Sequence, residues 1–308
     1  MKNRSVWLRL TLIASCLTAA PAVVQAGTLE QALQESHTFY RQLVAGSPFD
    51  LVCLISAGLL VICVCGCFIA RLWRPLNDRQ ARDLAPWRLV DFVILVHLYL
   101  IWDLTVLAML GPGLSISGSF LAYWLINGLF CAGLVAWLRV QHHSFVRGQA
   151  VFDLTWHQIK LGLVSYLLFF AWYWGSYCLT QLVYAWQELA PHAQRLAEEV
   201  LILRGWPLGL ALVTTILGAP LFEELLFRCW LYGSFRKLAP PILAIPVSAL
   251  VFALAHLENG NYFVLFPIFT LGCFLALLYE RSRSLWASVA AHSLHNAVTI
   301  LYLYFVVA

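Results

Sequence analysis

The chain has 308 residues, of which 62% are hydrophobic and 11% charged, and its mean hydropathy is +0.80. This composition excludes an ordinary water-soluble globule and favours a chain that folds in a lipid bilayer. The net charge is only +4, and Lys and Arg gather in short segments between apolar runs, so no nucleic-acid partner is indicated.

Residues 1–26 are predicted to be a signal peptide. Basic residues precede an apolar stretch, which ends at a small-residue cleavage site at Ala26. Two alternatives stay open: a lipobox-like sequence ending at Cys16, and an uncleaved signal anchor.

The rest of the chain consists of apolar runs, each near the ~20 residues that a bilayer core requires. The sequence therefore predicts an all-α, polytopic transmembrane helical bundle of about eight spans after the N-terminal signal-like segment. The predicted spans are residues 51–70, 89–110, 118–138, 161–183, 208–235, 241–257, 262–279 and 285–307.

The loops predict an orientation because cytoplasmic loops are rich in Lys and Arg. Basic residues cluster on alternate sides of the predicted spans, at residues 71–88, 139–160, 236–237 and 281–283. We therefore expect these four loops in the cytoplasm and both ends of the mature chain outside it. Tryptophans near span ends are predicted to be interfacial anchors: Trp73, Trp87, Trp137, Trp186 and Trp206.

The fifth predicted span carries an unusual polar group. Glu223, Glu224 and Arg228 lie inside an apolar run, where each charge costs at least ~2.5 kcal/mol. Glu224 and Arg228 are four residues apart and can form an ion pair on one helix face, while Glu223 is turned away by about 100°.

Two later spans carry further polar side chains. His256 lies deep in the sixth predicted helix, and His292 and Asn296 share a face of the last span. Measured from the basic residues at the span ends, Glu223, His256 and His292 lie roughly 20, 22 and 14 Å deep at 1.5 Å per residue. These depths are compatible with one shared site in the membrane.

Together these patterns resemble the CAAX-protease and bacteriocin-processing (CPBP) family of intramembrane peptidases. The matching motifs are EExxxR at Glu223–Arg228, FxxxH at Phe252–His256 and HxxxN at His292–Asn296, in that order. The resemblance implies a CPBP-like core over residues 201–308, preceded by N-terminal transmembrane helices over residues 27–200.

The resemblance also implies a role for each residue. Glu223 would be the general base that activates a water, and His256 would help to hold that water. His292 and Asn296 would stabilise the oxyanion, while Glu224 and Arg228 complete the site as an ion pair.

No cofactor is predicted, although two carboxylates and two histidines are also reasonable ligands for a divalent metal such as zinc. The HExxH motif of zinc proteases is absent, since Leu257 and Glu258 follow His256. We therefore favour metal-free glutamate chemistry over a metallopeptidase.

The leading hypothesis is an intramembrane endopeptidase acting on a membrane-associated protein or peptide, in a bacterial inner membrane. The alternative is a proton- or ion-coupled transporter that uses the same buried charges as a relay. A transporter would be expected to show discontinuous helices in two matching halves, and the sequence shows one such break, at Gly218 to Pro220.

Overall fold

A computed structural model describes residues 38, 41, 87–110, 116–141, 152, 154–189, 200, 202–257 and 262–307. Within this part of the chain the secondary structure is entirely helical, with no strand. The predicted signal segment 1–26 and the predicted span 51–70 lie outside the described residues.

The predicted apolar spans from residue 89 onward correspond to helices. The helices are α1 (Leu89–Leu110), α2 (Ile116–Gln141), α3 (Trp156–Trp186), α4 (Gly205–Leu238), α5 (Pro241–Leu254), α6 (Leu265–Ser282) and α7 (Leu285–Val307). A short 3-10 turn at Tyr262–Val264 leads into α6.

Three of the described helices are long and apolar enough to cross a membrane: α1 over Leu89–Val106, α4, and α6 with its preceding turn. The chain is therefore a multi-pass membrane protein. The total of eight spans stays a prediction.

Helix α4 is not regular along its length. Three α-helical parts, Gly205–Val213, Ala219–Glu224 and Gly233–Leu238, alternate with two π-helical segments, Thr214–Gly218 and Leu225–Tyr232. The predicted break at Gly218 to Pro220 is thus a wider helical turn, and the helix continues through it. Proline has no N–H to donate to the preceding turn, so an altered hydrogen-bond pattern is favoured beside Pro220.

The last helix, α7, packs against α3, α4 and α6. The approach of α3 is close at Gly162, where a Cβ atom would overlap the carbonyl of Ala287. Small residues at helix contacts allow such close packing in membranes.

Trp87 does not have the predicted position of an interfacial anchor. Its side chain is 1% exposed and stacks on Trp230, with ring centroids 4.2 Å apart. Its indole N–H donates to the carbonyls of Cys229 and Trp230, so hydrogen bonding inside the protein holds it there. Trp186 and Trp206 are 70% and 66% exposed, as expected of anchors.

Arg236, predicted in a cytoplasmic loop, lies in the last helical turns of α4 and is buried there. It is 4% exposed, and its Nε donates to Oε1 of Glu280 on α6 over 3.0 Å. The hydroxyl of Tyr232 donates to the other oxygen of Glu280 over 2.7 Å. This cluster joins the end of α4 to the end of α6.

Candidate active site

Five of the six predicted site residues come together from α4, from the turn after α5 and from α7, whereas Asn296 contacts Thr215. Glu223 and Glu224 end the middle α-helical part of α4, and Arg228 lies in the π-helical segment that follows. His292 lies within α7. His256 does not lie within the helix as predicted: it comes two residues after the end of α5, in a tight turn where its N–H donates to the carbonyl of Ala253. The last turn of a helix often narrows in this way.

Glu224 forms the buried centre of the site. One carboxylate oxygen lies 2.9 Å from Nδ1 of His292, and the other lies 3.2 Å from Nε of Arg228. Glu224 is 0% exposed and Arg228 is 2% exposed. The predicted ion pair within α4 therefore forms, and the same carboxylate also holds the histidine of α7.

Glu223 faces the two histidines from the other side. Its Oε2 atom lies 3.6 Å from Nε2 of His256 and 3.8 Å from Nε2 of His292. No hydrogen bond from the described residues reaches this oxygen. One carboxylate oxygen and two imidazole nitrogens thus converge at distances slightly longer than a direct hydrogen bond.

The neighbours of the two imidazole rings determine which nitrogen carries a proton. Nδ1 of His256 lies 2.8 Å from the carbonyl oxygen of Phe252, which can only accept, so Nδ1 carries the proton. Nδ1 of His292 faces the Glu224 carboxylate in the same way. Both rings therefore turn Nε2 towards Glu223.

Arg228 makes an ion pair with Glu224 and a contact with the ring of Phe252. Its guanidinium lies 4.2 Å from the centre of the Phe252 ring, a cation–π contact. Within the described part of the chain, none of its three guanidinium nitrogens has hydrogen-bond geometry to a partner, although Nε lies 3.2 Å from Glu224. The contact with Glu224 is thus an ion pair rather than a bidentate hydrogen bond.

Asn296 reaches a different part of α4. Its side-chain N–H donates over 2.8 Å to the carbonyl oxygen of Thr215, in the first π-helical segment. Thr215 could not be identified from the sequence, because no pattern of residue types marks a backbone carbonyl as an acceptor.

His295 lies away from these groups, on the α3 side of α7. It is 6% exposed, and its Nδ1 lies 3.1 Å from the hydroxyl of Tyr166. The ring of Tyr173 packs against it edge to face at 4.4 Å. These contacts give His295 a packing role.

Exposure differs across the site. The side chains of Glu223 and His256 are 21% and 26% exposed, whereas that of His292 is 4% exposed. The accessible edge is therefore formed by Glu223 and His256, and the ion pair lies behind it.

No group of three or more His, Cys, Asp or Glu side chains has the geometry of a metal site in the described part of the chain. Two nitrogens and one oxygen of suitable type nonetheless point to one place. Their chemistry permits them to hold and deprotonate a water, since a carboxylate can accept a proton and each Nε2 can take part in a hydrogen bond.

Known proteins resemble the part of the chain that contains these residues. Residues 204–298 match the model of the Type II CAAX prenyl endopeptidase Rce1-like family. The matched segment includes every site residue described above, from Thr215 to Asn296. No solved structure matches the chain.

Three curated proteins are similar over part of their length. The membrane-embedded CAAX protease MroQ of Staphylococcus aureus is 31% identical over 134 residues, which cover 41% of this chain and 50% of that protein. An uncharacterized protein of Mycoplasma capricolum is 30% identical over 96 residues, 30% of this chain and 27% of its own length. The putative membrane peptidase YdiL of Bacillus subtilis is 26% identical over 90 residues, 29% of this chain and 35% of its own length.

The chain thus spans half or less of the length of the curated relatives that it matches. The matched segment contains the EExxxR, FxxxH and HxxxN motifs, in that order along the chain. In the structure, Glu223, His256 and His292 of these three motifs lie close together. Over residues 204–298, the chain is thus similar to the Rce1-like CAAX prenyl endopeptidase family.

Proposed function

We propose that the protein is an intramembrane endopeptidase that hydrolyses a peptide bond in a membrane-associated protein or peptide. The observation that carries this proposal is the convergence of Glu223 Oε2 with the Nε2 atoms of His256 and His292, at 3.6 and 3.8 Å. The family match of residues 204–298 favours hydrolysis over the transporter alternative.

Glu223 acts as the general base. A water beside its Oε2 loses a proton to the carboxylate, and the hydroxide oxygen bonds to the carbon of the scissile carbonyl. His256 holds the same water through Nε2, whose orientation is set by the bond from Nδ1 to Phe252. The proton on Glu223 then passes to the leaving amine as the carbon–nitrogen bond breaks.

His292 stabilises the negative charge that develops on the carbonyl oxygen. To donate from Nε2 while Nδ1 donates to Glu224, the ring must be an imidazolium, and Glu224 is its counter-ion. Arg228 and the imidazolium together balance the charges of the two glutamates. Asn296 uses one N–H to bind Thr215, and its second N–H supports the oxyanion.

We propose that this chemistry needs no metal. The Glu224 oxygens face His292 and Arg228, so Glu224 is engaged elsewhere and is a poor metal ligand. Activity should survive treatment with EDTA and 1,10-phenanthroline in detergent-solubilised protein. Loss of cleavage on chelation, restored by added zinc, would instead establish a metallopeptidase.

The first experiment tests for cleavage itself. A panel of tagged membrane and secreted proteins is co-expressed with the wild type, Glu223→Gln or His256→Ala at matched membrane levels. We expect products with the wild type and a loss of about 10²- to 10⁴-fold with each variant, the usual contribution of a general acid or base.

Matched controls make the result specific. Glu188→Gln and His97→Ala change an exposed carboxylate and an exposed imidazole outside the site, and both should cleave as the wild type does. If the panel is never cleaved and the site variants alter ion flux instead, the protein is a relay and the peptidase proposal is wrong.

A further inference from the structure

The direction in which Glu223 and Glu224 point depends on the π-helical segments on either side of them. A π-helical turn bonds residue i to i+5 and therefore contains more residues than an α-helical turn. The carboxylates lie in the six-residue part Ala219–Glu224 between two such segments. Reversion of either segment to a regular α-helix would turn the glutamates relative to α5 and α7.

A tryptophan of α2 contacts the first of these segments. The indole N–H of Trp124 donates over 2.7 Å to the hydroxyl of Thr214, which donates over 2.7 Å to the carbonyl of Leu210. The same ring lies against Gly218, where an added Cβ would be 2.8 Å from the Cζ2 atom of Trp124. Trp124 thus touches both ends of the segment Thr214–Gly218.

A second tryptophan contacts the other segment. Trp87 donates over 3.0 Å to the carbonyl of Cys229 and over 3.3 Å to that of Trp230, and stacks on the Trp230 ring. Its own carbonyl accepts from Nζ of Lys237 at 2.7 Å. Trp87 is therefore bound to the second segment and to the end of α4.

We propose that Trp87 and Trp124 are positioning residues that hold the two π-helical segments and so aim Glu223 and Glu224 at His256 and His292. Both tryptophans lie outside the family-matched residues 204–298. Residues before position 200 thereby contribute to the orientation of the site, one from α2 and one from the segment that precedes α1. The proposal is tested by two measurements. The measurement of cleavage rests on the proposed function, whereas the measurement of amide hydrogen exchange does not.

Amide hydrogen exchange of α4 is measured in detergent micelles. Trp124→Phe keeps an aromatic ring but loses the N–H, and we expect at least about 10-fold faster exchange over residues 214–218, since local opening becomes easier. Trp87→Phe should do the same over residues 225–232. Trp206→Phe, at an exposed tryptophan, should leave both segments unchanged.

The measurement of cleavage uses a substrate found by the co-expression screen. We expect Trp124→Phe and Trp87→Phe to lower kcat about 10-fold with little change in KM, because the reacting groups are misdirected while substrate binding is kept. A residue with a purely structural role would instead reduce the amount of folded enzyme, with kcat per folded molecule retained.

A second-site test separates the contact from general destabilisation. Gly218→Ala should lower kcat, because the added Cβ meets the Trp124 ring. In the presence of Trp124→Phe, which removes the nearest ring atoms, Gly218→Ala should cause no further loss. Additive losses would contradict a shared contact, since independent sites contribute independently.

The two proposals can fail separately. If no substrate is cleaved but exchange over residues 214–218 and 225–232 increases as expected, the peptidase proposal fails and the positioning of α4 stands. If exchange in both segments is unchanged in Trp87→Phe and Trp124→Phe, the positioning proposal is overturned whatever the activity.

Discussion

Helix α4 forms two buried ion pairs that differ in how completely they are bonded. At its end, Arg236 Nε donates to Glu280 over 3.0 Å, Tyr232 donates to the second oxygen, and Arg236 also reaches the carbonyl of Ala239. In the middle, Arg228 lies 3.2 Å from Glu224 without hydrogen-bond geometry. Both pairs are almost fully buried.

Such a difference is expected between an ion pair with a structural role and one that belongs to a reactive site. A buried ion pair offsets the cost of its desolvation only when its donors and acceptors are well bonded. The Glu280 cluster meets that condition and links two helices. The Glu224 cluster is incompletely bonded and adjoins Glu223, whose Oε2 also lacks a donor among the described residues, as expected where a substrate or water completes the bonding.

Loss of the well-bonded pair should have the largest effect, and that effect should be on stability. Arg236→Met leaves the Glu280 carboxylate buried with one donor fewer, so we expect the free energy of unfolding to fall by about 3–5 kcal/mol. Equilibrium unfolding in detergent micelles measures this change. Cleavage per folded molecule should be little altered.

The control for this variant is an ion pair of the same type at the surface. Arg88 lies 3.9 Å from Asp91 and its side chain is 79% exposed, so Arg88→Met should cost only about 0–1 kcal/mol. Equal destabilisation by Arg88→Met and Arg236→Met would show that burial of the Glu280 cluster adds nothing.

Disruption of the incompletely bonded pair of Glu224 and Arg228 should instead lower cleavage more than stability. Glu224→Gln keeps an oxygen that can accept from Nδ1 of His292 but removes the negative charge, so His292 is less firmly oriented. We expect cleavage to fall about 10- to 100-fold, as when a carboxylate that orients a histidine is replaced, with a smaller loss of stability than in Arg236→Met.

Cleavage assays and unfolding of the same preparation decide this prediction. Asp91→Asn, which neutralises an acidic partner outside the site, serves as the matched control and should change neither property. If Glu224→Gln destabilises the protein as much as Arg236→Met does while cleavage per folded molecule is unchanged, the two pairs have the same structural role.

The location of the site could be predicted from the sequence because polar groups in apolar spans are costly and therefore conspicuous. Glu223, His256 and His292 stood out in this way, and the structure brings them together. The π-helical segments could not be predicted, since they depend on which backbone groups bond to one another. The contact of Asn296 with Thr215 was missed for the same reason.

Two residues near span ends are more buried than their positions in the sequence suggest. Arg236 and Trp87 are residue types common at the membrane–water interface, and both lie near span ends. Their hydrogen-bond partners are distant in sequence: Glu280 follows Arg236 by 44 residues, and Cys229 follows Trp87 by 142. Only the packing of α4 against α6 and of residue 87 against α4 brings these groups together. Patterns within one span contain no such information.

The smallest expected effect concerns the aromatic ring of Phe252, over which the Arg228 guanidinium lies. Phe252→Leu keeps an apolar side chain but removes the ring that lies 4.2 Å from the guanidinium and 4.6 Å from the His256 ring. Because cation–π contacts contribute about 0.5–2 kcal/mol, we expect cleavage per folded molecule to fall by up to about 10-fold. The matched control is Phe274→Leu, which disrupts a buried stack with Phe169 between α3 and α6 and should lower stability without lowering cleavage. Equal cleavage by the two variants would mean that the ring is ordinary packing, and that Arg228 is held by Glu224 alone.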